Sequence, residues 1–168
     1  MKNRIVVVGS TGFIGRATVK RFAEKGINVY PIESSSKGPS LHQDAEWIYP
    51  HLDGTDTVYI CAGQTGGVGK MSRDPMSFVY PNIGIHMNMF KACAETGVRR
   101  VVCLQSTTGY RDSALPMQEH EYLNGELHPA YFVPGNVHRF IYRLSQMFKE
   151  QEFVFFRPSN VYGPANNF

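Results

Sequence analysis

Five short runs rich in β-branched and aromatic residues, at 5–8, 28–32, 57–61, 100–104 and 153–157, are separated by longer stretches with helical apolar spacing, at 12–25, 81–96 and 134–150. A strand buried on both faces reads as an unbroken apolar run, whereas a half-exposed strand alternates. Runs such as Ile5-Val6-Val7-Val8 are unbroken. The pattern therefore predicts parallel strands joined by right-handed helical crossovers and covered by helices on both faces. That is an α/β fold: a Rossmann-like doubly wound parallel sheet of about five to six strands. The first helix places Ile14, Ala17, Thr18 and Phe22 near one face and stops at Gly26, a residue suited to the left-handed position after a helix.

Between residues 33 and 55 the pattern weakens. Ser34-Ser35-Ser36-Lys37-Gly38-Pro39-Ser40 reads as a loop, and 44–52 has room only for a short helix, so a further full strand and helix do not fit there. Segments 65–69 and 112–129 are the remaining loops, the second long enough to form a functional surface. No internal repeat or linker interrupts the 168 residues, and 42% hydrophobic content supplies one core, so residues 1–168 are expected to form a single domain.

Charge and cysteine usage narrow the function classes. The 17 basic and 14 acidic residues leave a net charge of +3 without like-charged blocks, which argues against nucleic acid or an anionic membrane as partner. Apolar runs of about five residues fall far short of the ~20 needed to span a bilayer, and Met1-Lys2-Asn3-Arg4 leads into the first strand without a signal-peptide core. A cytoplasmic protein is expected. Cys61, Cys93 and Cys103 are odd in number and lie in apolar stretches, as suits buried thiols in a reducing compartment rather than a disulfide framework. Histidines at 42, 51, 86, 120, 128 and 138 form no i, i+4 pair and no Cys-x-x-Cys accompanies them, so no metal site is expected.

Candidate chemistry begins at Val8-Gly9-Ser10-Thr11-Gly12-Phe13-Ile14-Gly15, three glycines at three-residue spacing between the first strand and the first helix. Gly9 permits a tight turn, Gly12 lets the backbone approach a pyrophosphate, and Gly15 removes a side chain where helix packs on sheet. Thr11, Phe13 and Ile14 complete this expected cofactor turn, whose amides would meet the anion. Glu33, 18 residues beyond Gly15, stands where a carboxylate can accept from the adenosine ribose hydroxyls. A carboxylate there repels a 2′-phosphate, which favours NAD over NADP, although Lys37 and the serines at 34, 35 and 36 could partly accommodate one.

Further segments carry a family resemblance: Val58-Tyr59-Ile60-Cys61-Ala62-Gly63, Gly66-Gly67, Asn82, Ser106-Thr107-Thr108, Pro116-Met117, Asn124-Gly125, and Pro158-Ser159-Asn160-Val161-Tyr162-Gly163-Pro164-Ala165-Asn166-Asn167-Phe168. On these residues the chain resembles the extended short-chain dehydrogenases/reductases of the NAD-dependent epimerase/dehydratase family, and within it the GDP-fucose synthases, which are epimerase/reductases of GDP-4-keto-6-deoxymannose.

The resemblance implies a nucleotide-sugar substrate, NADPH rather than the NAD favoured by Glu33, and cofactor contacts from Ala62, Gly63, Pro158 and Asn160. It implies that Ser106 hydrogen-bonds the substrate keto oxygen, and it puts Thr108 where the family has a catalytic cysteine. A threonine hydroxyl is a poor acid for carbon-bound protons, which weakens the epimerase half of that chemistry. The family's Tyr-x-x-x-Lys motif falls on Tyr131-Phe132-Val133-Pro134-Gly135, keeping the tyrosine and losing the lysine. Pro134 suits only a first helical turn, so the helix is expected to begin after Tyr131, leaving His138 and Arg139 too far along to replace that lysine.

The family also has a C-terminal segment that completes the sugar pocket; these 168 residues lack it, as a fragment or a short protein would. The family pairs two long helices across a two-fold axis, so Met87, Met89, Phe90, Phe140, Ile141, Leu144, Met147 and Phe148 are candidates for either core or a homodimer interface. The leading expectation is an oxidoreductase domain acting on a keto-sugar nucleotide. The alternative is a catalytically degenerate homologue that binds a nucleotide or partner without turnover.

Overall fold

The computed structural model describes residues 4–33 and 40–164. Lys37, the serines at 34, 35 and 36, and Ala165-Asn166-Asn167-Phe168 lie outside the described residues. In chain order the elements are β1 (Arg4–Val8), α1 (Phe13–Glu24), β2 (Val29–Ile32), α2 (Tyr49–Leu52), β3 (Thr55–Ile60), α3 (Val68–Arg73), α4 (Met76–Glu95), β4 (Arg100–Leu104), α5 (Phe132–Ser145) and β5 (Glu152–Phe156). The strands form one parallel sheet in the order β2-β1-β3-β4-β5. The five expected strands are present, and among the described residues between β2 and β3 the regular elements are α2 and the 3₁₀ turn Glu46–Ile48 before it.

Register explains the core. Val6 pairs with Val58, Val58 with Val101 and Val101 with Phe153, while Val8, Ile60, Cys103 and Phe155 align one pleat further along. Side chains two apart share a face, so these residues make one continuous surface. On it pack the 45–52 segment, α4 and α5, with Met89, Phe90 and Ile141 buried. The opposite surface runs through Val7, Tyr59, Val102 and Val154. Among the described residues α1 is its one helical cover, meeting Tyr59 edge-on through Phe22 at 5.3 Å. The expected cover on both faces therefore holds over Val7 and fails over the ends of β4 and β5, where Phe156 is 54% exposed. Ala17, expected on the packed side of α1, is exposed for the same reason.

Two helix boundaries also differ from expectation. α4 begins at Met76, ahead of the expected 81, and runs through Pro81. Asp74 supports its start by accepting from the Ser77 amide and hydroxyl, and Phe78 is buried in the core, which together offset the amide that proline lacks. α5 ends at Ser145 rather than at 150, because residues 146–148 tighten into bonds from Gln146 to Arg143, Met147 to Leu144 and Phe148 to Ser145. Its beginning at Phe132, with Pro134 in the first turn, matches the expectation. Of the candidate interface residues, Met89, Phe90 and Ile141 are core, whereas Met87, Phe140 and Met147 are exposed.

Candidate functional site

The chain leaves β1 toward β2 on one side and returns as β3 on the other, so a crevice opens beyond the carboxyl ends of β1 and β3, where open α/β sheets hold ligands. The turn after β1 is fastened by amides of Gly9 and Ser10, which both donate to the Ile32 carbonyl at 2.8 and 3.1 Å. Gly9 has φ +79°, and a Cβ there would lie 2.5 Å from the Ala62 nitrogen. A Cβ on Gly15 would collide with the Gly9 carbonyl oxygen. Both positions therefore admit only glycine. Gly12, immediately before α1, offers no side-chain cap, and the first turn of the helix holds no acidic residue. Its leading amides, including those of Phe13 and Ile14, lack partners within the helix and are available to an anion, which the helix dipole also favours.

Around this turn, Thr11 is exposed beside Gly12, Glu33 is half-buried just past β2, and Ala62 is buried under Gly9. Gly63 sits against Asn82, whose Nδ2 donates to the Gln64 and Phe78 carbonyls at 2.9 and 2.7 Å while its Oδ1 accepts from the Gln64 amide at 3.1 Å. A buried α4 side chain thus sets the loop after β3. Pro158 lines a cavity of about 400 Å³ with Ile14 and Leu104, which brings the loop after β5 beside the glycine turn. Asn160 is exposed on that loop.

The carbonyl-chemistry candidates lie past β4. Ser106 opens the 3₁₀ turn Thr107–Gly109, and its Oγ accepts from the Thr108 amide at 3.2 Å. The Thr108 hydroxyl is buried and finds no hydrogen-bond partner among the described residues. Tyr131 ends the 3₁₀ turn Pro129–Tyr131, immediately before α5; it is 40% exposed, with the His128 ring 5.6 Å away. One helical turn on, a Cβ at Gly135 would stand 2.5 Å from the Thr108 carbonyl oxygen and 2.8 Å from Leu127 Cδ1. Position 135, where the resemblance puts a lysine, is thus packed against backbone and leucine.

No neighbouring side chain on α5 replaces that lysine. Arg139 spends its guanidinium on the carbonyls of Gly109, Asn124 and Gly125 at 2.7, 2.8 and 2.9 Å, and burial holds its pKa below the usual range. His138 is pushed down to about 4, chiefly by burial and secondarily by His86, so it is neutral near pH 7. The long loop is further fastened by Arg157, whose guanidinium lies 3.9 Å from the Tyr122 ring centre, 5.1 Å from Tyr142 and 6.0 Å from Tyr110. Burial pushes the Tyr122 phenol up to about 12. Neither Arg139 nor Arg157 was singled out as a site-building residue from sequence, because their partners lie 14 to 47 residues away.

The NAD dependent epimerase/dehydratase family model matches residues 5–168. The chain belongs to that family. A GDP-L-fucose synthase of Escherichia coli (strain K12) is 26% identical over 99% of this chain and 53% of its own length. A GDP-L-fucose synthetase from Naegleria fowleri, solved bound to NADP, superposes with a TM-score of 0.82 at 23% identity, over 98% of this chain and 52% of that one. A Thermus thermophilus UDP-glucose 4-epimerase, solved with NAD, gives 0.75 at 20% identity over 98% and 57%. The chain spans about half the length of the curated family members it matches. Among the described residues no helix is long and apolar enough to cross a membrane, and no group of three or more His, Cys, Asp or Glu gathers as a metal set.

Proposed function

We propose that residues 1–168 form one NAD(P)-binding domain that acts, as an oxidoreductase of the epimerase/reductase type, on a keto-sugar nucleotide. The observation that carries this reading is the glycine turn: Gly9 and Gly15 have no room for a Cβ, and the turn presents the uncapped start of α1 at the point where the sheet reverses. Gly9, Thr11, Gly12, Phe13, Ile14 and Gly15 would hold the pyrophosphate, Glu33 the adenosine ribose, and Ala62, Gly63, Pro158 and Asn160 the rest of the dinucleotide. Glu33 favours NAD, although the N. fowleri relative was solved with NADP. Titration calorimetry with NADH and NADPH tests this. Tighter NADH binding is expected, loosened by Glu33→Gln, and tighter NADPH binding overturns the role of Glu33. Loss of neither ligand on Gly15→Val would overturn the site.

A bound nicotinamide supplies hydride transfer to or from a sugar carbon. Ser106 would donate to the keto oxygen, and Tyr131 would pass a proton to or from it. With the lysine position closed and the Thr108 hydroxyl buried, two acid/base aids are missing. Each is typically worth 10²–10⁴-fold. GDP-4-keto-6-deoxymannose should therefore turn over far below the ~1 s⁻¹ of an ordinary enzyme. Gly135→Lys should not restore the rate, since its side chain meets the Thr108 carbonyl and Leu127; restoration would show that this contact yields. The same contact favours a second reading, in which the domain binds a dinucleotide as ligand or partner subunit without turnover. The exposed Met87 and Phe140 support homodimer formation through α4 and α5, and a cytoplasmic setting suits all three thiols. Light scattering that finds only a ~19 kDa species at tens of micromolar, an ordinary range for dimers, removes the dimer.

A further inference from the structure

With position 135 closed, Arg139 committed to loop carbonyls and His138 buried, the ring that stands beside Tyr131 is that of His128. The two ring centres are 5.6 Å apart and the planes are tilted by 48°. The turn between them sets this pairing. Pro129 fixes the backbone at the start of the 3₁₀ turn, and the Tyr131 amide closes it on the His128 carbonyl at 2.9 Å. Side chains three residues apart eclipse in such a turn. The turn itself packs against α3, the short helix just past Gly66-Gly67, at the carboxyl end of β3 where the crevice opens.

The histidine is also oriented by its own cap. Its Nδ1 accepts from the Ala130 amide at 3.1 Å, so the neutral ring carries its hydrogen on Nε2. We propose that His128 is a further catalytic residue, a neutral donor whose Nε2–H bonds the Tyr131 oxygen as that oxygen gives up its proton. This rests on the keto-sugar reading above. In the reductive direction the keto carbon takes up a hydride from the reduced dinucleotide, so the carbonyl is reduced and the nicotinamide oxidised. The Tyr131 O–H bond breaks and an O–H bond forms on the former keto oxygen. The phenolate left behind is met by His128, which keeps its own proton, and water then returns a proton to Tyr131. A hydrogen bond offered to a charged form favours that form, so the histidine supplies part of what a lysine charge would supply. Both side chains are exposed, which leaves the rings free to rotate until Nε2 meets the oxygen; catalytic hydrogen bonds commonly tighten only when substrate is bound.

His128→Asn is the discriminating variant, because asparagine keeps an oxygen to accept from the Ala130 amide and loses the ring donor. With GDP-4-keto-6-deoxymannose and NADH, nicotinamide absorbance followed over hours should show its turnover roughly 10–100-fold below that of the wild-type chain, the scale of one hydrogen bond to a charged group. KM should be unchanged, and calorimetry should give both chains the same NADH affinity. His128→Ala should be slowed similarly and regain rate when imidazole is added; a rate that imidazole leaves unchanged marks a structural cap and overturns the proposal. Independently of turnover, nitrogen NMR of histidine-labelled protein should show His128 as the Nε2–H tautomer. Full activity in His128→Asn overturns the proposal and leaves the keto-sugar reading standing, as does an Nδ1–H tautomer. NADH bound by the wild-type chain with no turnover at all overturns both.

Discussion

The two faces of the sheet are built from nearly the same residue types and end in different states. On one, Val6, Val58 and Val101 are sealed beneath α4, α5 and the 45–52 segment, with Phe153 half-buried beside them, and Phe90 touches Phe148 and Phe153 with ring centres 5.8 and 4.8 Å away. On the other, Val7 and Val102 are equally buried, yet Cys61 and Leu104 are half-covered and Phe156 is open. An apolar strand pattern therefore states what a face requires rather than what the chain lays over it.

The three thiols give the sharpest test of this contrast. Cys93 and Cys103 lie under the sealed face, where burial pushes the first up to about 12 and the second well above its ordinary value. Cys61 lines an open groove alongside α1; burial pushes it to about 11, partly offset by a hydrogen bond with Thr18. A maleimide reagent should label Cys61 in the native protein. The other two should react slower by a factor on the order of a thousand or more, because they require an opening that costs several kcal/mol. Native labelling of Cys103 as fast as Cys61 breaks the distinction.

Paired truncations come next in size. Phe90→Ala should lower the unfolding free energy by about 3–5 kcal/mol, and Phe156→Ala by less than about 0.5 kcal/mol, since one leaves a cavity and the other a solvated surface. Urea denaturation measures both, and equal losses would mean that the groove is covered in solution.

The smallest effect is titration beneath the sealed face. An unfolded histidine titrates near 6.5 and folded His138 near 4, so between those values only the unfolded chain takes up the proton. Stability should be level above pH 6.5 and fall by roughly 2 kcal/mol by pH 4.5, with buried His86 shifted in the same direction. His138→Gln should flatten part of that slope; an unchanged slope removes His138 as its source.

Legibility followed the range of the interactions. The glycine turn and the end of α1 at Gly26, which adopts φ +69°, are set within a few residues, and the sequence pattern placed both. The start of α4 was missed because Pro81 reads as a break, while the compensating bonds from Ser77 to Asp74 and the buried Phe78 count only once the core exists. At the candidate site, the missing lysine is visible in the sequence. The Thr108 carbonyl that fills its place is 27 residues away and is not.

The ring of tyrosines around Arg157 bears on the order in which the molecule is made. Synthesis runs from the N-terminus, so Tyr110, Tyr122 and Tyr142 have all left the ribosome before Arg157 follows β5. Until then the three rings have no guanidinium between them, although Arg139 can already hold the carbonyls of Gly109, Asn124 and Gly125. The nascent chain can complete its glycine turn early, while the tyrosine cluster closes only when the fifth strand brings Arg157.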